Sequence, residues 1–274
     1  MKIFKIVAAI LLLLTGCSQS VSNSSEVPIK ISDRVDLKFS ELSPALTFTP
    51  QSHVQKRVRK AAVKITNIEM KGHGSGSYVS YKGIQLVITA LHVVDEMDPV
   101  EIIVMGIKEQ VPARLIYADP INDIAILLPR QKITSRTPFP LKFHDNTPDV
   151  GAQLTYTGFP SNHQMLTFAG NIVGFEEVNI RYTKIRQAIV IHTYGWFGSS
   201  GSCLFDSTGH LVGILWGVDV EIFMVPQAQE DIIYASHANT INMDLVMDKA
   251  CITNMEKEVC KRHERRRIKE RFNQ

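Results

Sequence analysis

Gly198-Ser199-Ser200-Gly201-Ser202 is the stretch whose reading decides the fold. It lies between an apolar run that closes in Ile189-Val190-Ile191 and another that opens in Cys203-Leu204-Phe205. A serine bracketed by glycines between two strand-like runs suits a tight loop, because glycine accepts positive φ and lets a ligand approach the backbone closely. Such a loop can expose the Ser200 hydroxyl and aim the N–H groups of Gly198 and Ser200 at one point, the geometry of an oxyanion hole beside a nucleophile. A lone Gly-x-Ser-Gly is more often a plain turn, so the reading depends on what else the chain carries.

Two stretches upstream supply it. Val87-Ile88-Thr89-Ala90-Leu91-His92-Val93-Val94 sets a histidine immediately after an apolar strand. Asn122-Asp123-Ile124-Ala125-Ile126-Leu127 sets an acid at the mouth of another. Taken singly, a histidine there is a structural residue and an aspartate there is a turn or cap residue. Taken together, three such residues in the order His92, Asp123 and Ser200, each bordering a strand in a two-part β chain, are hard to obtain by chance.

The remainder reads as all-β. Ser52 is placed to cap a short helix that runs to Lys60. Period-two alternation then begins at Val63-Lys64-Ile65-Thr66-Asn67-Ile68, followed by strand-like runs at 77–81, 85–89, 101–105, 113–117 and 124–128. A second series covers 153–157, 165–168, 171–175, 188–192, 211–215 and 231–235. Many short strands with Gly, Pro and Asn between them indicate a sandwich or barrel. The Pro-containing stretch 134–148 divides the series, which predicts one unit over about 54–133 and another over about 149–245. From Asn242 the pattern turns helical, so 246–274 is expected to be a C-terminal helix and basic tail.

These motifs resemble those of trypsin-like serine proteases. Thr89-Ala90-Leu91-His92 is similar to their Thr-Ala-Ala-His segment, Asp123-Ile124-Ala125-Ile126-Leu127 to their Asp-Ile-Ala-Leu-Leu segment, and Gly198–Ser202 to their Gly-Asp/Asn-Ser-Gly-Gly loop. Gly74-Ser75-Gly76-Ser77 resembles a strand of the bacterial HtrA/Deg branch, and Gly213-Ile214-Leu215-Trp216-Gly217 the strand that pairs with substrate backbone. The resemblance spans about 52–245 and implies two packed six-stranded antiparallel β-barrels with the catalytic residues in the cleft between them. It implies Ser200 as nucleophile, His92 as general base, Asp123 as the residue that fixes the imidazole, and Gly198 and Ser200 N–H groups as the oxyanion hole. It also implies substrate binding by Leu215, Trp216 and Gly217, with Tyr194 at the base of the primary specificity pocket. No acid stands at Tyr194, so cleavage after Lys or Arg is not favoured. Ser199, Ser202 and Cys203 depart from the family pattern; Cys203 is expected to be a small buried hydrophobe. The segment 246–274 is too short for the PDZ module that HtrA proteins commonly carry.

The N-terminus reads as a targeting segment. Lys2 and Lys5 precede an apolar stretch over 6–14, and Leu14-Thr15-Gly16-Cys17 resembles the lipobox of bacterial lipoprotein precursors. That implies a signal peptide over 1–16, lipidation of Cys17, and an exported, membrane-anchored protein of the bacterial cell envelope. Ser18 in place of aspartate favours the outer membrane. Residues 17–50, opening Ser18-Gln19-Ser20-Val21-Ser22-Asn23, bury little and read as a flexible tether.

Composition narrows the partners. A net charge of +3 over 274 residues does not call for nucleic acid, and the nine histidines and four cysteines show no zinc-site spacing. No metal and no cofactor are expected; the expected partner is a polypeptide substrate. Seven basic and two acidic residues over 261–271 read either as a solvated terminal helix or as a contact for an anionic surface. On one continuous helix Cys251 and Cys260 would face opposite sides, so a disulfide between them requires a break, which Asn254 could supply. The alternative function is a non-catalytic lipoprotein that captures a partner in the same cleft.

Overall fold

Ser52 closes a capping box: its hydroxyl accepts from Gln55 N, and Gln55 Oε1 accepts from Ser52 N. The helix it starts, α1 (His53–Ala61), buries Val54, Val58 and Ala61 at helical spacing. The structure, a computed structural model, describes residues 52–66, 72–95, 102–144, 146, 148–161, 163–180, 183–222, 226–252 and 258–272. The signal segment, the tether, Cys17 and Asn254 therefore lie outside the described residues, as do Asn67 and Ile68 of the first alternating run.

The first series of alternating runs becomes β1 (Ala62–Thr66), β2 (His73–Tyr81), β3 (Ile84–Ala90), β4 (Ile103–Met105), β5 (Gln110–Asp119) and β6 (Ile124–Pro129). Their order β1-β4-β5-β6-β3-β2 is closed by pairing of β1 with β2, which makes a six-stranded antiparallel barrel. Its interior holds Val63, Ile65, Tyr78, Val87, Val104 and Leu127. The connection over 134–148 contributes β7 (Phe139–Pro140), which pairs in parallel with β2 and ties the linker to the first barrel.

The second barrel comprises β8 (Gln153–Gly158), β9 (Leu166–Ile180), β10 (Thr183–His192), β11 (Cys203–Asp206), β12 (Leu211–Ile222) and β13 (Pro226–His237), closed in the order β10-β13-β12-β11-β8-β9. The runs at 165–168 and 171–175 prove to be one strand. Gly170 does not break it; a Cβ there would stand 2.3 Å from the His192 carbonyl, so glycine permits close approach of β10. Ile88 and Ile126 of the first barrel meet Cys203, Phe205 and Ile214 of the second in one apolar cluster, sealed by Val58, Ile241 and Val246. Burial of this cluster is what fixes the seam between the barrels.

The single C-terminal helix expected from sequence is two: α2 (Met243–Ile252) and α3 (Glu258–Phe272). Cys251 and Cys260 form a disulfide between them. Asp248 accepts from His263 Nε2 at 2.8 Å and pairs with Arg267, and Arg266 pairs with Asp244. Two of the tail's cations, Arg266 and Arg267, and its His263 thereby hold α3 to α2.

Candidate active site

The antiparallel pairing of β3 with β6 sets Ala90 opposite Ile124 and brings the ends of both strands together. His92 lies on a 3-10 turn over Leu91–Val93, directly after β3. Asp123 precedes β6 with φ +52°, a left-handed conformation that aspartate tolerates better than most residues. The Asp119 carboxylate accepts from the N–H groups of Ile121 and Asn122 and supports that turn.

From this position Asp123 holds the Leu91–His92 turn at three points, two of them on His92. Its carbonyl accepts from Leu91 N at 2.9 Å, its Oδ1 from His92 N at 2.8 Å, and its Oδ2 lies 2.5 Å from His92 Nδ1. Asp123 is buried and the His92 side chain is partly exposed. With Nδ1–H donated to the carboxylate, the imidazole presents Nε2 as its acceptor.

The serine loop follows β10. Gly198 (φ +94°) and Gly201 (φ +89°) are both in the left-handed region, and the space around them is full. A Cβ on Gly198 would stand 2.6 Å from His73 Nε2 and from the Phe159 carbonyl, and one on Gly201 2.1 Å from the Ser75 carbonyl. Among the described residues, the N–H groups of Gly198 and Ser200 have no acceptor. The Ser200 hydroxyl lies 3.4 Å from the Trp216 carbonyl, and no hydrogen bond joins it to His92.

The residue that seats this loop, Ser75 on β2, was legible only as part of a motif. Fully buried, Ser75 donates its N–H to the Ser200 carbonyl (2.8 Å) and its hydroxyl to the Gly198 carbonyl (2.6 Å). The same hydroxyl accepts from Phe159 N (2.9 Å), while the Ser75 carbonyl accepts from Thr89 Oγ1 (2.7 Å). One side chain thus joins the first barrel, the β8 end of the second, and the loop that carries Ser200. The flanking Gly74 and Gly76 were the available signal, since glycines within a strand mark close backbone approach. A Cβ on Gly74 would stand 3.1 Å from the Ser200 carbonyl.

Leu215 and Trp216 come to the same place. Gly201 N donates to the Leu215 carbonyl (2.7 Å) and Leu215 N to the Ser202 carbonyl (2.9 Å). β11 pairs with β12 only as far as Ile214, so the stretch through Trp216 and Gly217 has a strand partner on one edge, β13. The Trp216 ring stacks on Tyr234 at 5.5 Å. The Tyr194 ring packs on Phe168 at 5.2 Å and lines a recess with His192, Thr193 and Asp231. Cys203 is fully buried, and burial pushes its thiol up to about 12, which keeps it a protonated, packed side chain.

Two closed antiparallel barrels, with a His–Asp pair and a glycine-flanked serine loop at their seam, define a hydrolase of the trypsin-like serine endopeptidase class. The chain belongs to the trypsin-like peptidase domain family, whose sequence model matches residues 74–214. No curated protein sequence matches the chain. Its fold is similar to that of the Rv3671c protease of M. tuberculosis in its active form, at 21% identity over 69% of this chain and 80% of the other, with a TM-score of 0.57. It is likewise similar to an inactive form of Rv3671c from strain H37Rv with a serine-to-alanine substitution, at 22% identity over 72% of this chain and 88% of the other, with a TM-score of 0.55. At these identities the likeness is one of fold.

Proposed function

We propose that the protein is an exported, membrane-anchored serine endopeptidase that cleaves polypeptides through an acyl-enzyme intermediate. The observation that carries this reading is the grip of Asp123 on both the backbone and the ring of His92, beside a loop whose Gly198 and Ser200 amides are open. Ser200 Oγ attacks the scissile carbonyl while His92 Nε2 takes its proton. The oxyanion that forms is stabilised by the two amides. Collapse expels the amine, which takes the proton from His92 and leaves the acyl group on Ser200. Water activated by His92 then releases the acid and restores the serine. Asp123 holds the tautomer and stabilises the imidazolium throughout.

The substrate strand adds along the open edge of β12 at Leu215, Trp216 and Gly217, where main-chain hydrogen bonds supply affinity. Assignment of Tyr194 to the primary pocket rests on its spacing from Ser200. Export and anchoring rest on the 1–16 signal segment and on lipidation of Cys17, with 17–50 as tether, 51–245 as protease domain and 246–274 as tail; Ser18 favours the outer membrane. Among the described residues no helix is long and apolar enough to cross a membrane. Incorporation of labelled palmitate that persists in Cys17→Ser would refute this anchor.

One observation favours the second reading, a capture protein that uses the cleft without turnover: the Ser200 hydroxyl faces the Trp216 carbonyl rather than His92. Fluorophosphonate labelling separates the two. Labelling that disappears in Ser200→Ala establishes an activated serine; a folded protein that stays unlabelled overturns that reading in favour of a latent enzyme or a capture protein.

A further inference from the structure

α1 carries Lys56, Arg59 and Lys60 at spacings of three and four residues, and hence on one face. Arg136 approaches that face from the connection between the barrels, held by Thr137 N, which donates to the Lys60 carbonyl at 3.1 Å. The four cations line one recess of about 510 Å³, with Ile107 and Met165 as apolar wall. Among the described residues no carboxylate pairs with any of the four. Glu109, beside the recess, is already engaged. The N–H and hydroxyl groups of Ser135 and Thr134 donate to it and hold its pKa at about 2.

The two guanidiniums are short of acceptors. Arg59 Nη1 donates to Thr167 Oγ1 at 3.1 Å. Arg136 is half-buried; its Nε is shielded from solvent and has no partner, and its Nη1 meets the Met165 sulfur at 3.5 Å, a weak acceptor. Burial first, and the Arg59 charge second, lower the pKa of Arg136. Complementing the helix dipole accounts for Arg59 and Lys60 in the last turn of α1, but not for Lys56 or Arg136.

We propose that this recess is a binding site for a phosphate ester, whose oxygens take the Arg59 and Arg136 forks while Lys56 and Lys60 close the rim. A phosphate monoester brings up to two charges and three terminal oxygens, which answers more of these donors than one carboxylate does, and guanidinium geometry suits it. Four cations around one recess suit one small anionic group, and the Ile107–Met165 wall receives the organic part of the ester. The group is offered by a soluble phosphate monoester and, as a diester with one charge and two terminal oxygens, by a phospholipid headgroup.

The test is calorimetric titration of the full-length protein with glycerol 3-phosphate, and co-sedimentation with phosphatidylglycerol or phosphatidylcholine vesicles, for the wild type and for Arg59→Gln/Arg136→Gln. Saturable binding that weakens at least tenfold in the double variant supports the site. Binding in solution identifies a soluble ester. Sedimentation that favours phosphatidylglycerol in the wild type alone, any Cys17 anchor being common to both, identifies a headgroup. If the double variant fails to fold, Lys56→Gln/Lys60→Gln on the exposed rim takes its place. Equal affinity in wild type and variant, poly-glutamate binding as tightly as the phosphate probes, or no binding of any probe overturns the proposal.

Discussion

The Ser75 hydroxyl, on the first barrel, donates to the Gly198 carbonyl, on the serine loop of the second, at 2.6 Å. That bond orients the peptide following Gly198 and so bears on where the Ser200 amide points. Ser75→Ala leaves the Gly198 carbonyl and the Phe159 N–H without their partner, a cost of roughly 1–3 kcal/mol for each buried group. Donors displaced from the oxyanion by as little as an ångström cost about 100-fold in rate. The expected result is kcat lowered by about 10- to 100-fold with KM nearly unchanged. An unchanged kcat in a protein that is merely less stable would show that Ser75 only staples the barrels together.

Asp123 accepts from His92 through both carboxylate oxygens, one to the backbone and one to the ring. Asn at this position keeps the tolerance for φ near +52° and one accepting oxygen. Asp123→Asn therefore folds, but its amide cannot both hold the backbone N–H and accept from Nδ1. The wrong imidazole tautomer costs about four orders of magnitude in kcat. Turnover within tenfold of wild type, with peptide substrates and a folded variant, would mean that another acid orients His92.

Much of this site was legible because its parts sit at strand ends, where local sequence and fold coincide. His92 and Asp123 flank apolar runs, and β3–β6 pairing needs nothing more to bring them together. The capping box at Ser52 was equally local. Ser75 escaped because its role is written in partners 84 and 123 residues away, which no local pattern encodes. The merged β9 escaped because Gly170 reads as a break until the backbone of β10 is seen against it. The Cys251–Cys260 bridge was undecided for a similar reason: it joins two helices, and neither helix's own pattern encodes its partner.

Asp206 organises the β11–β12 hairpin, where its Oδ1 accepts from the N–H groups of Thr208 and His210 and from the Thr208 hydroxyl. Burial pushes its pKa up, but these hydrogen bonds, with the nearby His210 charge, bring it below the usual aspartate value. His144 Nε2 also lies 3.6 Å from the carboxylate. A depressed folded-state pKa adds stability above the unfolded value of about 4, lost as pH falls through the folded value. Asp206→Asn should lower stability at pH 7 and flatten the loss of stability seen on urea unfolding as the pH falls below the unfolded value of about 4. An acid limb of the same slope in wild type and variant would contradict this account.

Cys251 and Cys260, nine positions apart in sequence, close a loop across the ends of α2 and α3. A loop of that size is worth about 2–3 kcal/mol through the entropy it removes from the unfolded chain. Cys251→Ser/Cys260→Ser should therefore lower stability by about that amount, while α3 keeps its Asp244–Arg266 and Asp248–Arg267 pairs. The bridge and the residues gripping His92 lie on separate elements, so peptide turnover below the unfolding temperature should stay within about twofold of wild type. Comparing hydrogen exchange over 243–272 with kcat in the same preparation checks both halves. Faster exchange at constant kcat is expected; a parallel fall in kcat would show that the C-terminal helices support the catalytic cleft.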